Sequence, residues 1–169
     1  NFEQDQMLER KKWDASHSES ASEAGETPEK TAAKLKVYDV ISFDVFDTLI
    51  FRPFSKPTDL FFETGRRLGY PDFERIRREM EWRVREKKYQ EFRTREITLD
   101  EIWEMMEQET GIPKERGMKT ELDCEMKYCF PNPYMKEVVK ALKQDEKKII
   151  ITSDMYLRKM QIQELLKRC

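Results

Sequence analysis

The stretch 37–49 reads V-Y-D-V-I-S-F-D-V-F-D-T-L. Its first half is rich in β-branched and aromatic residues, which favour a β-strand. An apolar run of this kind, rather than a strict alternation, is typical of a parallel strand buried on both faces. Ligands of open α/β sheets bind just beyond the carboxyl ends of such strands. Asp44, which closes the run, therefore lies where a nucleophile or a metal ligand would be useful.

A second short strand is predicted over 149–151, within the sequence K-K-I-I-I-T-S-D-M-Y. Thr152 and Ser153 follow it directly, and apolar spacing predicts a last helix that begins near Tyr156. Backbone amides at a helix start offer unpaired donors and a positive dipole end, which suit a phosphate or a carboxylate. We therefore expect Thr152 and Ser153 to bind such a group.

The residues between the two strands predict an all-helical insert. Turn and cap signals divide it into four helices: one closed by Gly69, one over 72–92, one opened by a capping box of Thr98 and Glu101, and one over 114–129. Apolar residues at helical spacing predict the inner faces, and we expect the Arg and Glu runs to be mostly solvated faces with short-range ion pairs. A further helix, capped by Asn132, precedes the second strand.

Both strand ends resemble motifs of the haloacid dehalogenase (HAD) superfamily. F-D-V-F-D-T-L-I is similar to the first motif, whose leading Asp is the nucleophile, matched by Asp44, and whose Thr steadies the loop, matched by Thr48. I-I-I-T-S-D resembles the second motif, whose hydroxyl holds the transferred group, matched by Thr152. In that family a helical insert between the two motifs closes over the site and selects the substrate.

The resemblance implies an α/β fold with a Rossmann-like parallel sheet, of which only the N-terminal part is present, and an all-helical cap. It divides the chain into a disordered tail or linker over 1–34, a partial HAD-like core over 35–55 and 131–169, and the cap over 56–130. The family's third motif supplies a lysine and its fourth a pair of acids. Neither is recognised up to Cys169, so we expect these residues to be inactive alone.

The implied activity is phosphoryl transfer from a small phosphorylated metabolite, such as a sugar phosphate, through Asp44. Asp44 and the backbone carbonyl of Phe46 would bind Mg²⁺, which prefers oxygen ligands. Phe46 stands where phosphatases of the family carry their general acid, and Asp47 falls at a variable position. Phosphoryl transfer should therefore be slow with poor leaving groups. Arg52 is a candidate substrate contact, with a surface or hinge role as the alternative.

Two alternative functions remain open at this stage. An aromatic residue at position 46 also occurs in dehalogenases proper, where the Asp attacks carbon. A non-catalytic binding module that keeps the HAD fold is the other. The wider pattern also resembles predicted bacterial hydrolases that are linked to glycosyltransferases and surface-polysaccharide proteins. The tail fits a fusion to a preceding domain, and a bare linker fits equally. Both ends are expected to be interior to a longer protein.

Composition excludes several classes of protein. Thirty-two basic against 34 acidic residues give a net charge of −2, without the basic excess of a nucleic-acid binder. No apolar run approaches a membrane span, and three cysteines without metal-like spacing indicate reduced thiols and a cytoplasmic location. His17 is the only histidine, and it lies in the predicted tail, so histidine-dependent catalytic triads are not expected.

Overall fold

The computed structural model describes residues 25–169 and has a mixed α/β architecture. The helices are α1 (Pro28–Leu35), α2 (Asp59–Leu68), α3 (Phe73–Phe92), α4 (Leu99–Thr110), α5 (Lys114–Tyr128), α6 (Pro133–Gln144) and α7 (Lys159–Arg168). The strands are β1 (Val40–Asp44), β2 (Ile50–Phe51), β3 (Phe130–Pro131) and β4 (Lys148–Thr152). Across this part of the chain, no helix is long and apolar enough to cross a membrane.

Strands β1 and β4 form a two-stranded parallel sheet, in which Val40 pairs with Lys148 and Asp44 pairs with Thr152. Burial alternates strictly along β1: Ile41 and Phe43 are buried and their neighbours are exposed. The prediction of a strand buried on both faces is therefore wrong. The physical reason is that α1 and α6 cover one face of the sheet, whereas the described residues leave the other face open.

All but the last residue of helix α1 lies in the segment 1–34 that was predicted to be a disordered tail or linker, so the prediction of disorder is wrong for residues 28–34. Thr27 caps the helix, Pro28 occupies its first turn, and the fully buried Ala32 packs against Val138 and Leu142 of α6. The rest of the predicted tail, with His17, lies outside the described residues, except for residues 25–27, which have no regular secondary structure.

The four predicted insert helices are confirmed as α2 to α5, which pack in a ring: α2 against α3 and α5, and α4 against α3 and α5. The capping box is also confirmed, because Thr98 and Glu101 exchange backbone-to-side-chain hydrogen bonds at the start of α4. Apolar side chains fill the interior, among them Met80, Leu99, Ile102, Trp103 and Met106. We call this bundle the cap.

Arg77 is an exception to the mostly solvated Arg and Glu runs that the sequence predicts for α3. Arg77 is fully buried, and its guanidinium forms two hydrogen bonds with Glu121 of α5, at 3.1 and 2.9 Å. The Cζ atom of Arg77 lies 4.5 Å from the ring centroid of Phe61 and 4.9 Å from that of Tyr156. An ion pair therefore forms part of the interior of the cap.

The chain enters and leaves the cap through β2 and β3, which pair antiparallel with Ile50 opposite Pro131. The hydrophobic cluster of the cap continues across this junction. It includes Val45 from the turn after β1, Ile50 from β2, Tyr156 and Leu157 from the segment after β4, and Leu165 from α7. The cap is thus packed directly on the segments that follow both strand ends.

Candidate functional site at the ends of the parallel strands

The structure brings two predicted site residues together at the carboxyl end of the sheet. Asp44 and Thr152 are register partners on adjacent strands, so their side chains lie on the same face. The Thr152 hydroxyl lies 3.3 Å from the Ser42 hydroxyl and donates to the Phe43 carbonyl at 3.4 Å. Asp44 is exposed, and its side-chain carboxylate accepts no hydrogen bond from residues 25–169. Its carboxylate is therefore free to meet a ligand.

A tight turn follows Asp44 and fixes the next five residues. The Val45 carbonyl accepts hydrogen bonds from the amides of Leu49 and Ile50, at 2.9 and 3.0 Å, and the Asp47 amide donates to Ile50. Asp47 adopts the left-handed conformation, with φ 57°, which Asp tolerates better than most residues. The Phe46 carbonyl, by contrast, accepts no hydrogen bond from the described residues.

Asn132 holds this turn, and the sequence indicated only its role as a helix cap. Its Oδ1 accepts from the first amides of α6, which confirms the cap. Its Nδ2 donates to the Thr48 carbonyl at 2.8 Å, and its backbone amide donates to the Leu49 carbonyl at 2.9 Å. Asn132 is therefore a positioning residue for the site. Its place in P-N-P, directly after β3, was the signal available in the sequence.

Thr48 is the residue that the resemblance expects to steady the loop. It is partly buried, and the contact that fixes it runs through its backbone carbonyl to Asn132. Its hydroxyl forms no hydrogen bond with the part of the chain that the structure describes. The loop is thus steadied at Thr48, with Asn132 as the donor.

The last helix begins at Lys159, not near Tyr156, so Thr152 and Ser153 do not lie at a helix N-terminus. Two hydrogen bonds explain why the residues before Lys159 are not helical. The Ser153 hydroxyl accepts from the Met155 amide at 3.3 Å, and the Tyr156 carbonyl accepts from the Leu99 amide of α4 at 2.9 Å. The cap therefore holds this segment in a bend, and the predicted helix dipole cannot contribute to anion binding there.

Arg52, predicted as a substrate contact or as a surface or hinge residue, is buried with only 8% of its side chain exposed. Its guanidinium lies 4.0 Å from the ring centroid of Phe46, and its Nε donates to Glu125 of α5 at 3.1 Å. Burial raises the pKa of Glu125, although the charge of Arg52 opposes this. Arg52 therefore connects the site turn to the cap.

Glu121 is the centre of a second buried network beside Arg52. It accepts from Arg77, from the Trp103 indole at 2.8 Å, and from the Tyr156 hydroxyl at 3.5 Å. Burial alone would lower the pKa of Arg77, but the adjacent Glu121 raises it above its ordinary value. Burial also raises the pKa of Tyr156. The network holds Tyr156, and through it the chain after β4, against the cap.

The residues available for Mg²⁺ fit a partial site. Asp44 and the Phe46 carbonyl offer two oxygens that no described residue occupies, and Mg²⁺ is usually held by one or two carboxylates, waters and substrate phosphate. Over residues 25–169, no three His, Cys, Asp or Glu side chains are grouped to hold a metal. The donor set is compatible with the ion only when water and substrate complete it.

No protein-family model matches the chain, and no curated protein sequence matches it either.

Proposed function

We propose that the protein is a HAD-type hydrolase that transfers a phosphoryl group from a small phosphorylated metabolite to Asp44. The observation that carries the proposal is the pairing of Asp44 with Thr152 at the carboxyl end of two adjacent parallel strands. The free carboxylate and the motif resemblance support it. The proposal includes a Rossmann-like HAD core, of which β1 and β4 are two strands.

In the proposed reaction, a carboxylate oxygen of Asp44 attacks phosphorus while the bond from phosphorus to the leaving oxygen breaks. The products of this step are an aspartyl-phosphate and an alkoxide, which takes its proton from water because Phe46 offers none. Water then attacks the phosphorus of the aspartyl-phosphate and the bond from phosphorus to the Asp44 oxygen breaks. Inorganic phosphate and the Asp44 carboxylate are the products, and the proton of the attacking water passes to solvent. Dividing hydrolysis into two displacements replaces one difficult step with two easier ones.

Thr152 and Ser153 would hold the oxygens of the transferring group beside Asp44, with the Thr152 hydroxyl nearest the strand end. Asp44 and the Phe46 carbonyl would hold Mg²⁺. Bound Mg²⁺ supplies positive charge that offsets repulsion between the carboxylate and the phosphate. Asn132 would keep the turn in place while the charge moves, since preorganised groups avoid reorganisation during the reaction.

With Phe46 at this position, the site lacks the acid that would protonate the leaving group. The Phe46 ring is covered by the guanidinium of Arg52, so the position offers an apolar face and no exchangeable proton. General acid catalysis contributes about a hundred- to ten-thousand-fold. We therefore expect slow turnover of sugar phosphates and much faster turnover of phosphates with activated leaving groups. Phe46 also favours a second candidate, a dehalogenase-like attack of Asp44 on carbon.

The test is hydrolysis of p-nitrophenyl phosphate by the full-length protein, with and without Mg²⁺. Asp44→Asn should abolish metal-dependent release, whereas Asp47→Asn should retain it, because Asn also tolerates the left-handed conformation. Loss of activity in both variants would mean that the turn, and not the nucleophile, had been disturbed. No release from the unmodified protein would reject phosphoryl transfer and favour attack on carbon or a binding module.

A polypeptide of these 169 residues alone should show no metal-dependent release. The lysine and the paired acids that the resemblance requires are not recognised among its residues, so only part of the phosphoryl-transfer machinery is present. Robust turnover by this polypeptide would contradict the proposal that a third and a fourth motif are needed.

A further inference from the structure

The turn after Asp44, residues 45–50, is held by contacts from outside it in both of its halves, and we call it the site turn. In the second half, Asn132 donates to the carbonyls of Thr48 and Leu49. In the first half, the Cζ atom of Arg52 lies 4.0 Å from the ring centroid of Phe46. A cation over an aromatic face is attracted to it, more strongly when water is excluded. Arg52 is therefore placed to fix the conformation of Phe46.

The backbone carbonyl of Phe46 is directed away from β2. The Asp47 amide donates to the Ile50 carbonyl at 2.9 Å, and the described residues contain no cis peptide bond. In a planar trans peptide the C=O and N–H groups point in opposite directions, so the Phe46 carbonyl points away from Ile50. The ring and the carbonyl belong to one residue, so a contact that fixes the ring also limits the orientation of the carbonyl.

Glu125 of α5 holds Arg52 over that ring. The Nε of Arg52 donates to Glu125 at 3.1 Å, and the two side chains are 8% and 3% exposed. Over residues 25–169, Glu125 is the one carboxylate that pairs with Arg52. The Nη2 of Arg52 is buried without a hydrogen-bond partner in the same part of the chain, which is unfavourable. The guanidinium therefore stays in the interior because of Glu125, and not because all its donors are satisfied.

Glu121, one helical turn before Glu125, forms a similar pair that does not reach the site turn. The two glutamates are 1% and 2% exposed, and Glu121 accepts from the fully buried Arg77 at 2.9 Å. The guanidinium of Arg77 lies against Phe61 and Tyr156 instead of the site turn. Helix α5 thus carries one buried pair that contacts the site turn and a matched pair that does not.

We propose that Glu125 is a positioning residue: through Arg52 and the ring of Phe46 it holds the site turn, and it thereby sets the affinity for Mg²⁺ at Asp44 and the Phe46 carbonyl. The effect on Mg²⁺ rests on the proposed function, whereas the hold on the turn does not. Replacing a residue that orients the ligands of a metal typically lowers its affinity by about ten- to a hundredfold. A residue of the cap therefore tunes a site that lies outside the cap.

Two measurements on the full-length protein test the proposal. Hydrogen–deuterium exchange, measured by mass spectrometry on a peptide that covers 45–50, reports the hold on the site turn, because Asp47, Leu49 and Ile50 donate its internal hydrogen bonds. A peptide that covers β4 is the internal reference. Titration calorimetry with magnesium chloride reports the affinity for the ion without any turnover.

Arg52→Lys should lower the protection of the site turn relative to β4, and the affinity for Mg²⁺, each by roughly tenfold. Lysine keeps a charge that can pair with Glu125 but has no planar group to lie against Phe46. Glu125→Gln should have the same two effects, and if it fails to fold, Arg52→Lys still decides the question. Glu121→Gln is the matched control. Measured well below its unfolding temperature, it should leave both properties unchanged, because it breaks the pair that does not reach the site turn.

A double-mutant cycle tests whether Arg52 acts through the ring of Phe46. Phe46→Leu removes the aromatic face, so Arg52→Lys in that background should cause no further loss of protection or of affinity. A further loss of roughly tenfold in that background would overturn the route through the ring.

Unchanged protection and affinity in Arg52→Lys would overturn the proposal. Equal losses in Glu121→Gln would do the same, because the general stability of the cap would then be responsible. The two measurements also separate this result from the proposed function. If the unmodified protein binds no Mg²⁺ while Arg52→Lys still lowers protection, the hold on the turn is confirmed and the metal assignment is rejected. If Mg²⁺ binds and p-nitrophenyl phosphate is hydrolysed while Arg52→Lys changes neither property, the proposed function stands and the positioning role is rejected.

Discussion

The cap buries its large apolar side chains, whereas the two-stranded sheet leaves several of its apolar side chains exposed. In the cap, Trp103, Leu99 and Met106 are fully buried, because four helices in a ring enclose a common interior. In the sheet, Val40 is 46% exposed and Ile150 is 41% exposed, because helices cover only one face over residues 25–169. The described cap therefore encloses its own hydrophobic interior, whereas the described sheet is packed on one face only.

The largest expected change in the free energy of unfolding comes from a charge that is buried inside the cap. Glu121→Gln should destabilise the protein by about 3–5 kcal/mol, because it leaves the guanidinium of Arg77 buried without its main counter-charge. The free energy of unfolding from denaturant titration would show it. An effect this large would confirm that the cap depends on one buried ion pair.

Glu79→Gln is the control for that measurement. Glu79 also joins two arginines, Arg75 and Arg83, but all three side chains are at least 36% exposed. Exposed pairs of this kind are worth less than about 1 kcal/mol. Similar losses from both variants would mean that burial does not distinguish the two networks, and the contrast between interior and surface charge would fail.

The two faces of the sheet provide the next comparison. Leu142→Ala removes a fully buried side chain from α6 above the covered face and should cost about 2–5 kcal/mol. Ile150→Thr changes a partly exposed side chain and should cost much less, by the same thermal or denaturant unfolding. Equal losses would show that the face left open by the described residues is covered in solution.

The sequence predicts the cap well because each helix carries its own signals. The capping box at Thr98 and the terminating Gly69 and Gly111 are local, and each apolar stripe is readable without knowledge of its partner. Arg77 was not identifiable by the same means. Arg75, Arg77 and Arg78 are alike in the sequence, and only Glu121, 44 residues away, explains which of them is buried.

The candidate site was predicted in part for the same reason. The ends of parallel neighbouring strands align, so the meeting of Asp44 and Thr152 follows from the two strand predictions. The late start of α7 depends on a hydrogen bond from Leu99 in the cap, and the burial of Arg52 depends on Glu125. Contacts between distant segments decided both, and no local pattern indicates them.

Packing inside the cap can also be tested by adding a single methyl group. A Cβ at Gly117 of α5 would lie 1.9 Å from the ring of Trp103, which is fully buried and cannot move aside. Gly117→Ala should therefore cost about 1–3 kcal/mol, even though alanine favours a helix more than glycine does. Thermal unfolding is a sufficient measurement.

Gly111→Ala separates steric from conformational cost. Its Cβ would meet nothing within 4 Å, but its φ of 72° is left-handed, so the expected loss is only about 1 kcal/mol. A larger loss at Gly111 than at Gly117 would mean that the interior of the cap adapts easily, which would weaken the contrast with the sheet.

The smallest expected effect is a pH dependence at the rim of the cap. Hydrogen bonds from Arg66, with Arg67 beside it, lower the pKa of Glu63 to about 2, against the opposing effect of burial. The folded pKa is below the unfolded value, so the ionised carboxylate stabilises the protein above about pH 4.3. That contribution disappears as the pH falls toward 2.

Glu63→Gln should therefore lower the free energy of unfolding by about 1 kcal/mol at pH 7, a value reduced because Arg66 is 65% exposed to solvent. The difference from the unmodified protein should shrink between pH 5 and pH 2, as measured by denaturant titration at each pH. Glu74→Gln is the control, since its contact with Arg78 is long at 3.8 Å. A difference at Glu63 that persists unchanged at pH 2 would mean that shape and packing, rather than charge, hold this side chain at the rim.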